Sequence, residues 1–340
     1  MKPMLESLES RRLLSGASVY FGSSDGPPVH LPPGWYGVYD GAAGEYFGQI
    51  TYQNDETGEV VHPPQVKADG SVSLQGTSNP DHITVERVSE PPTQTPEIPT
   101  LVYFNTPVGG AVIGANLLDP AKMQRTINQA QDSVESSQEQ LDNTISSGVA
   151  SQEQIARASE GLENSKHILE VAKAVLDNIN TPTDFIRYKL DGFYDMYVEV
   201  GDLMTPQSHI RIEAGGGNDE VSIGSNVPMK TTVDGGTGAD KLTSGSKRTL
   251  LMGGGGADRL FSRSHHGGTL DGGKGADRYW NRFGDVEIAA RADGDCVMGN
   301  DTPTPVTQRG VLSFSNPTST DPAKCVFQPE GGEEKIDLLA

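Results

Sequence analysis

Four aspartates, Asp219, Asp240, Asp258 and Asp277, each stand five residues past the start of a glycine-rich loop: AGGGND from Ala214, GGTGAD from Gly235, GGGGAD from Gly253 and GGKGAD from Gly272. A carboxylate held in a turn whose other polar groups are backbone carbonyls offers only oxygen, and oxygen-only sites suit calcium. Zinc would call for His or Cys among the ligands, and magnesium for a stiffer octahedral cage. The candidate metal ligands are Gly215, Gly217 and Asp219; Gly235, Gly236, Gly238 and Asp240; Gly253, Gly254, Gly256 and Asp258; and Gly272, Gly273, Gly275 and Asp277. Three gaps separate four loops, which allows up to three ions. The first gap is the poorest, because Ala214 takes a glycine position.

The elements that must position these aspartates repeat in the same phase. Val221, Leu242, Leu260 and Tyr279 lie seven residues after the loop start, and Ile212, Val233, Leu251 and Leu270 lie two before it. Steps of 21, 18 and 19 residues between loops suit a coil of two short strands and two turns. The expected fold is mainly β: a right-handed parallel β-solenoid (β-roll or β-helix) that stacks the aspartates in a column. Two carboxylates roughly 5 Å apart repel by about 3 kcal/mol at an effective dielectric of 20, so a cation should relieve the column. The competing reading is an ion-free stack in which GGxGxD only makes tight polar turns.

These loops resemble the repeat-in-toxin, or haemolysin-type, calcium-binding family. That resemblance implies a parallel β-roll in a secreted protein, with calcium held between successive loops by Asp carboxylates and loop carbonyls. The opposite turns, SGSKR from Ser244 and SRSHHG from Ser262, depart from the family pattern, which implies ions along one edge only. At the start of the chain LESRRLLSG, from Leu8 to Gly16, resembles the LEPR-x-LL motif near the N-terminus of exported and surface proteins of planctomycete bacteria, with Ser10 in the proline position. It implies an address or processing element and no activity. No standard signal-peptide core follows it.

Composition agrees with an exported acidic protein. Acidic residues outnumber basic ones 46 to 26, for a net charge of -20, so nucleic acid and anionic membranes are poor partners. No run of apolar residues is long enough to span a bilayer. Only 34% of residues are hydrophobic, a thin core that narrow stacked layers tolerate.

Residues 1–33 read as an export or processing segment, 34–118 as an irregular β cap with the first coils, 119–180 as an inserted helical hairpin, 181–290 as the calcium-binding stack and 291–340 as a C-terminal cap or tail. Within the second segment VSLQGTSNPDHITV keeps the repeat register, with Leu74, Gly76, Asp81 and Ile83 at the matching positions. Asp81 reads there as a turn residue. Residues 91–100 read as a connector, and short β-prone runs near 101–104, 111–117, 196–200 and 209–212 as further strands of the same coil.

The antiparallel α-helical hairpin breaks the β pattern. Asp119 caps a first helix with Pro120 at its first position, and Met123, Ile127, Ala130, Val134 and Leu141 form its stripe. Ser151 and Gln154 form a capping box for a second helix carrying Ile155, Leu162, Leu169 and Leu176. Such a hairpin, about 40 Å long, closes on itself, lies on the stack, or serves as a partner-binding arm. Cys296 and Cys325 are the only cysteines, either bridged or both thiols.

No HExxH, G-x-S-x-G, P-loop or dinucleotide motif is present, and His265 and His266 read as exposed turn residues. The expectation is a secreted or cell-surface scaffold, structural or adhesive, that binds calcium through its loops and has no catalysis of its own. Its partners would be calcium and other surface or matrix proteins or glycans. The alternatives are a β-helical carbohydrate-active enzyme or glycan binder, and an interaction module built on the hairpin.

Overall fold

The structure is a computed structural model that describes residues 19–21, 31–40, 49–67, 69–89, 92, 100–107, 109–181, 183–200, 207–246, 248–263, 268–281, 286–289, 296–299, 324–327 and 336–339. The Leu8–Gly16 motif, His265 and His266, most of the 291–340 cap or tail and nearly all of the 91–100 connector lie outside the described residues, as does the side-chain pairing of Cys296 with Cys325.

The repeats build layers of two strands, joined in layers two to five by a glycine loop. Layer one contains strands Val72–Gln75 and His82–Val88, layer two His209–Glu213 and Glu220–Ile223, and layer three Lys230–Asp234 and Lys241–Ser244. Layer four contains Thr249–Gly255 and Arg259–Ser262, layer five Gly268–Lys274 and Arg278–Asn281, and layer six Val286–Ala289 and Cys296–Gly299. Every pairing between successive layers is parallel and in the repeat register. Leu74, Ile212, Val233, Leu251 and Leu270 align in one sheet, and Ile83, Val221, Leu242, Leu260 and Tyr279 in the other. Period-two alternation turns all of these inward, where they are essentially inaccessible. Burying one such Leu or Ile contributes about 1.5–3 kcal/mol, which is what pins the register. Layer one is joined to layer two across more than a hundred residues of intervening chain.

The expected single right-handed parallel β-solenoid is overturned. The protein is mainly β, but its sheets are open and mixed, and no closed coil forms among the described residues. The sheet of second strands has 11 strands, and beyond layer one it continues into the intervening chain. Phe185–Leu190 pairs antiparallel with His82–Val88, and Tyr194–Glu199 antiparallel with Phe185–Leu190. Thr100–Thr106 follows in parallel, Gly109–Gly114 antiparallel to it, and Val19–Phe21 parallel at the edge. The other sheet has seven strands and ends in Gln65–Val66, antiparallel to layer one. Runs 101–104, 111–114 and 196–199, expected to be coil strands, are therefore hairpin strands.

Local chemistry explains the reversal. Asp191-Gly192 sits between FIRYKL and YDMYVE, an Asp-Gly turn flanked by alternating strands, and Gly192 has φ +81°. Arg187 holds the result together by a two-pronged bond to Asp195, 2.8 Å from each carboxylate oxygen, and a third bond of 2.9 Å to Glu86 of layer one. A small antiparallel sheet, Trp35–Asp40, Gln49–Asn54 and Val60–Val61, covers this end. Trp35 and Tyr52 meet Phe193 edge-on, at 4.8 and 5.8 Å between ring centres.

The two helices form where their caps predict. Helix α1 (Pro120–Ser146) starts on Asp119, whose carboxylate accepts from the amides of Ala121 and Lys122, and α2 (Gln152–Ile179) starts on the complete Ser151–Gln154 capping box. Only the base of the hairpin is docked: Met123, Ile127, Val171, Ala172 and Val175 pack on Val102, Phe104, Ala111, Ile113 and Phe185. Further out, Leu162 and Ser165 are the last buried residues of α2, and Ser165 meets Ser133 and Ser137 across the helix pair. Ile145 and Val149 at the tip are 55% and 88% exposed. Among the described residues no helix is long and apolar enough to cross a membrane.

Two stability tests follow from this packing. Met123→Ala should cost about 2–5 kcal/mol in urea unfolding, and Leu141→Ala, on the free half of α1, under about 1 kcal/mol. The Tyr188 hydroxyl is buried with no hydrogen-bond partner, and burial raises its pKa, so Tyr188→Phe should leave the urea midpoint unchanged or raise it.

Candidate metal centre

The loops stack as the strands do, and the aspartates form a column. Asp219, Asp240, Asp258 and Asp277 are all buried, with 0–2% of their surface exposed. One oxygen of each is already committed. Asp219 Oδ1 accepts the backbone N–H of Asp81 at 2.8 Å, Asp240 Oδ1 that of Asp219 at 2.8 Å, Asp258 Oδ1 that of Asp240 at 2.8 Å, and Asp277 Oδ1 that of Asp258 at 2.9 Å. The column is thus a ladder of carboxylate-to-amide hydrogen bonds, which offsets part of the expected repulsion. Its lowest rung is Asp81, in register through layer one and bonded to the Thr77 amide and hydroxyl.

The second oxygen is where the candidate site lies. Asp219 Oδ2 and Asp240 Oδ2 are buried and accept no hydrogen bond. A methyl group on Gly235 would collide with Asp240 Oδ2 and with the carbonyl of Gly253 in the next layer; one on Gly253 would meet Asp258 Oδ2 and the carbonyl of Gly272. At each place two acceptor oxygens face one small space that only a glycine leaves open. A proton or a cation can reconcile them. Burial, the largest influence, pushes the pKa of Asp219 up to about 7; the Asp81 amide opposes this, while the charges of Asp240 and Asp81 add to it. Burial also raises Asp240, against the Asp219 amide and with the charge of Asp234.

The other candidate glycines have a different task. Gly236, Gly254 and Gly273, like Gly215, have positive φ and abut the carbonyl one layer below; Gly217, Gly238, Gly256 and Gly275 do the same at the next corner. These positions bring layers close enough for direct loop-to-loop bonds, such as Thr237 N–H to Gly215 O at 3.0 Å and Gly238 N–H to Gly255 O at 2.8 Å. They shape the site and need not donate to it.

The oxygens fit calcium in kind. Among the described residues no three His, Cys, Asp or Glu side chains converge on one point, so an ion here would draw mainly on carbonyls and water to reach the six to eight oxygens calcium takes. The first gap is the least suited, because Ala214 is buried and carries a methyl where the other loops have a hydrogen. At the upper end the Tyr279 hydroxyl lies beside Gly272 and accepts its N–H at 2.9 Å. On the opposite edge Ser244, Ser246 and Thr249 close the turn by hydroxyl bonds of 2.7–3.2 Å, with no carboxylate.

Sequence reasoning missed the ladder, because the loop pattern does not say which oxygen an amide will take. It also passed over the outward row of Lys241, Arg259 and Arg278, although each follows its aspartate directly.

Gly238→Ala should cost more than about 2 kcal/mol, since φ is +132° and the new methyl meets the Gly217 carbonyl, whereas Gly255→Ala, with open space around it, should stay within about 0.5 kcal/mol. Urea unfolding of the two variants checks the contrast. Asp219 has a folded pKa near 7 against 3.8 unfolded, so its contribution to the metal-free fold is full below about pH 4 and lost as pH rises through about 7. Chelator-treated protein should therefore unfold at a lower temperature at pH 7.5 than at pH 5.

No family model, curated protein or solved structure matches this chain.

Proposed function

We propose that the loop column binds calcium, and that the chain is a secreted or cell-surface scaffold, structural or adhesive, ordered by that ion. One observation carries the reading: buried Asp240 Oδ2 has no hydrogen-bond donor and shares its space with the Gly253 carbonyl. Asp240 and Asp258, with the carbonyls of Gly253 and Gly272, would hold the ions. Bound calcium supplies positive charge between layers that otherwise bring acceptor against acceptor. The same pairing of an aspartate oxygen with a carbonyl of the next layer recurs beside Gly235 and Gly253, and the resemblance of the loops to repeat-in-toxin sequences points the same way.

A second reading gives the outer half of the hairpin a role as a partner-binding arm. It is favoured by the exposure of Ile145 and Val149 beyond the last buried residues.

Calorimetric titration of chelator-treated protein should show two calcium ions, a rise in melting temperature and little response to magnesium. Asp240→Asn separates the ion from the fold. Its Oδ1 can still accept the Asp219 amide, and its new NH2 can donate to the Gly253 carbonyl. The variant should match or exceed the metal-free wild type in stability and lose calcium binding at that space. Ala214→Gly should add one more ion. No heat and no thermal shift at millimolar calcium would end the proposal.

A further inference from the structure

The outer face of the second-strand sheet carries two columns beside the loops. Glu220, Lys241, Arg259 and Arg278 stand in register, one to a layer, all exposed. Two residues further along the strands, on the same face, Phe261 and Trp280 stack with ring centres 4.3 Å apart and planes within 5°. Glu220 pairs with Lys241 at 2.6 Å, but among the described residues neither Arg259 nor Arg278 has a carboxylate within ion-pair reach. Like charges directly opposite on neighbouring strands destabilise a sheet. A face kept only for solubility would alternate sign, and acids are in large excess in this chain.

We propose that Lys241, Arg259 and Arg278, with the Phe261–Trp280 stack, bind an acidic polysaccharide, a chain of uronate sugars lying along the stacking direction. Charge selects an anion. Rings stacked one layer apart turn their edges outward, and ring edges are the electropositive part of the quadrupole, so both columns favour negative groups. Spacing selects the polymer. The cations repeat at about 4.8 Å, the separation of neighbouring strands, whereas same-face side chains of an extended peptide repeat at about 6.7 Å and fall out of step. A uronate chain carries one carboxylate per ring, and a ring in an extended chain advances by about one layer. If alternate rings face away, Lys241 and Arg278, two layers apart, still match.

The test uses the full chain in EDTA, at a temperature where circular dichroism shows the metal-free protein still folded, so that the outcome does not depend on calcium in the loop column. Polygalacturonate should bind, weakening as salt rises, and should shift tryptophan emission in a Trp35→Phe background where Trp280 is the only reporter. Its fully methyl-esterified form, with the same backbone and no charge, should not bind. The double variant Arg259→Gln/Arg278→Gln, with an unchanged melting temperature, should lose about tenfold in affinity or more. The proposal is overturned if polygalacturonate does not bind, if the double variant binds like wild type, if the methyl ester binds equally well, or if polyglutamate binds as tightly.

Discussion

The structure hangs on one repeated bond: the carboxylate of each loop aspartate accepts the backbone N–H of the aspartate one layer below. The bond links adjacent layers at the point where the chain turns, and it sets the height and rotation of every loop at once. It also fixes which oxygen is left over. With Oδ1 committed at 2.8–2.9 Å along the whole column, Oδ2 must point back into the loop, toward the first glycine and the next carbonyl. The glycine requirement and the affinity proposed for calcium are consequences of that single allocation, while burial raises the pKa values of Asp219 and Asp240 against it.

The layered part of the fold was legible because its signals agree at every level. Loop phase, inward apolar positions and strand period give one register, and residues as weakly marked as Leu74 and Ile83 align with the full repeats. What the sequence did not convey was how the column is satisfied. A row of acids reads as repulsion when only side chains are counted, since the offsetting donors are main-chain amides that every residue possesses. Asp81 illustrates the gap: it read as a turn residue, and it is one, bonded to Thr77, yet its amide also serves as the bottom rung.

The mixed sheet was written more faintly. The runs around Leu101, Ala111 and Met196 have the same β-prone composition as the layers, and composition does not carry strand direction. Direction came from Asp191-Gly192, a turn signal between two alternating runs, and from Arg187, which reaches both Asp195 of its own hairpin and Glu86 of layer one. The helices were plainer because capping chemistry is local. Asp119 and Ser151 set the starts without reference to anything distant. How much of the hairpin would dock depended on where its stripe met the sheet, which no cap encodes.

Both sheets reverse direction on the same side of layer one, through Gln65–Val66 in one and Phe185–Leu190 in the other. Such a boundary gives the assembly a ratchet-like polarity. A duplicated repeat inserted near the top would meet a parallel template and could be accommodated as an extra storey, while the same duplication below would confront strands running the wrong way. Lineages descended from such a chain should therefore vary in height from the upper floors alone, with the foundation left unaltered.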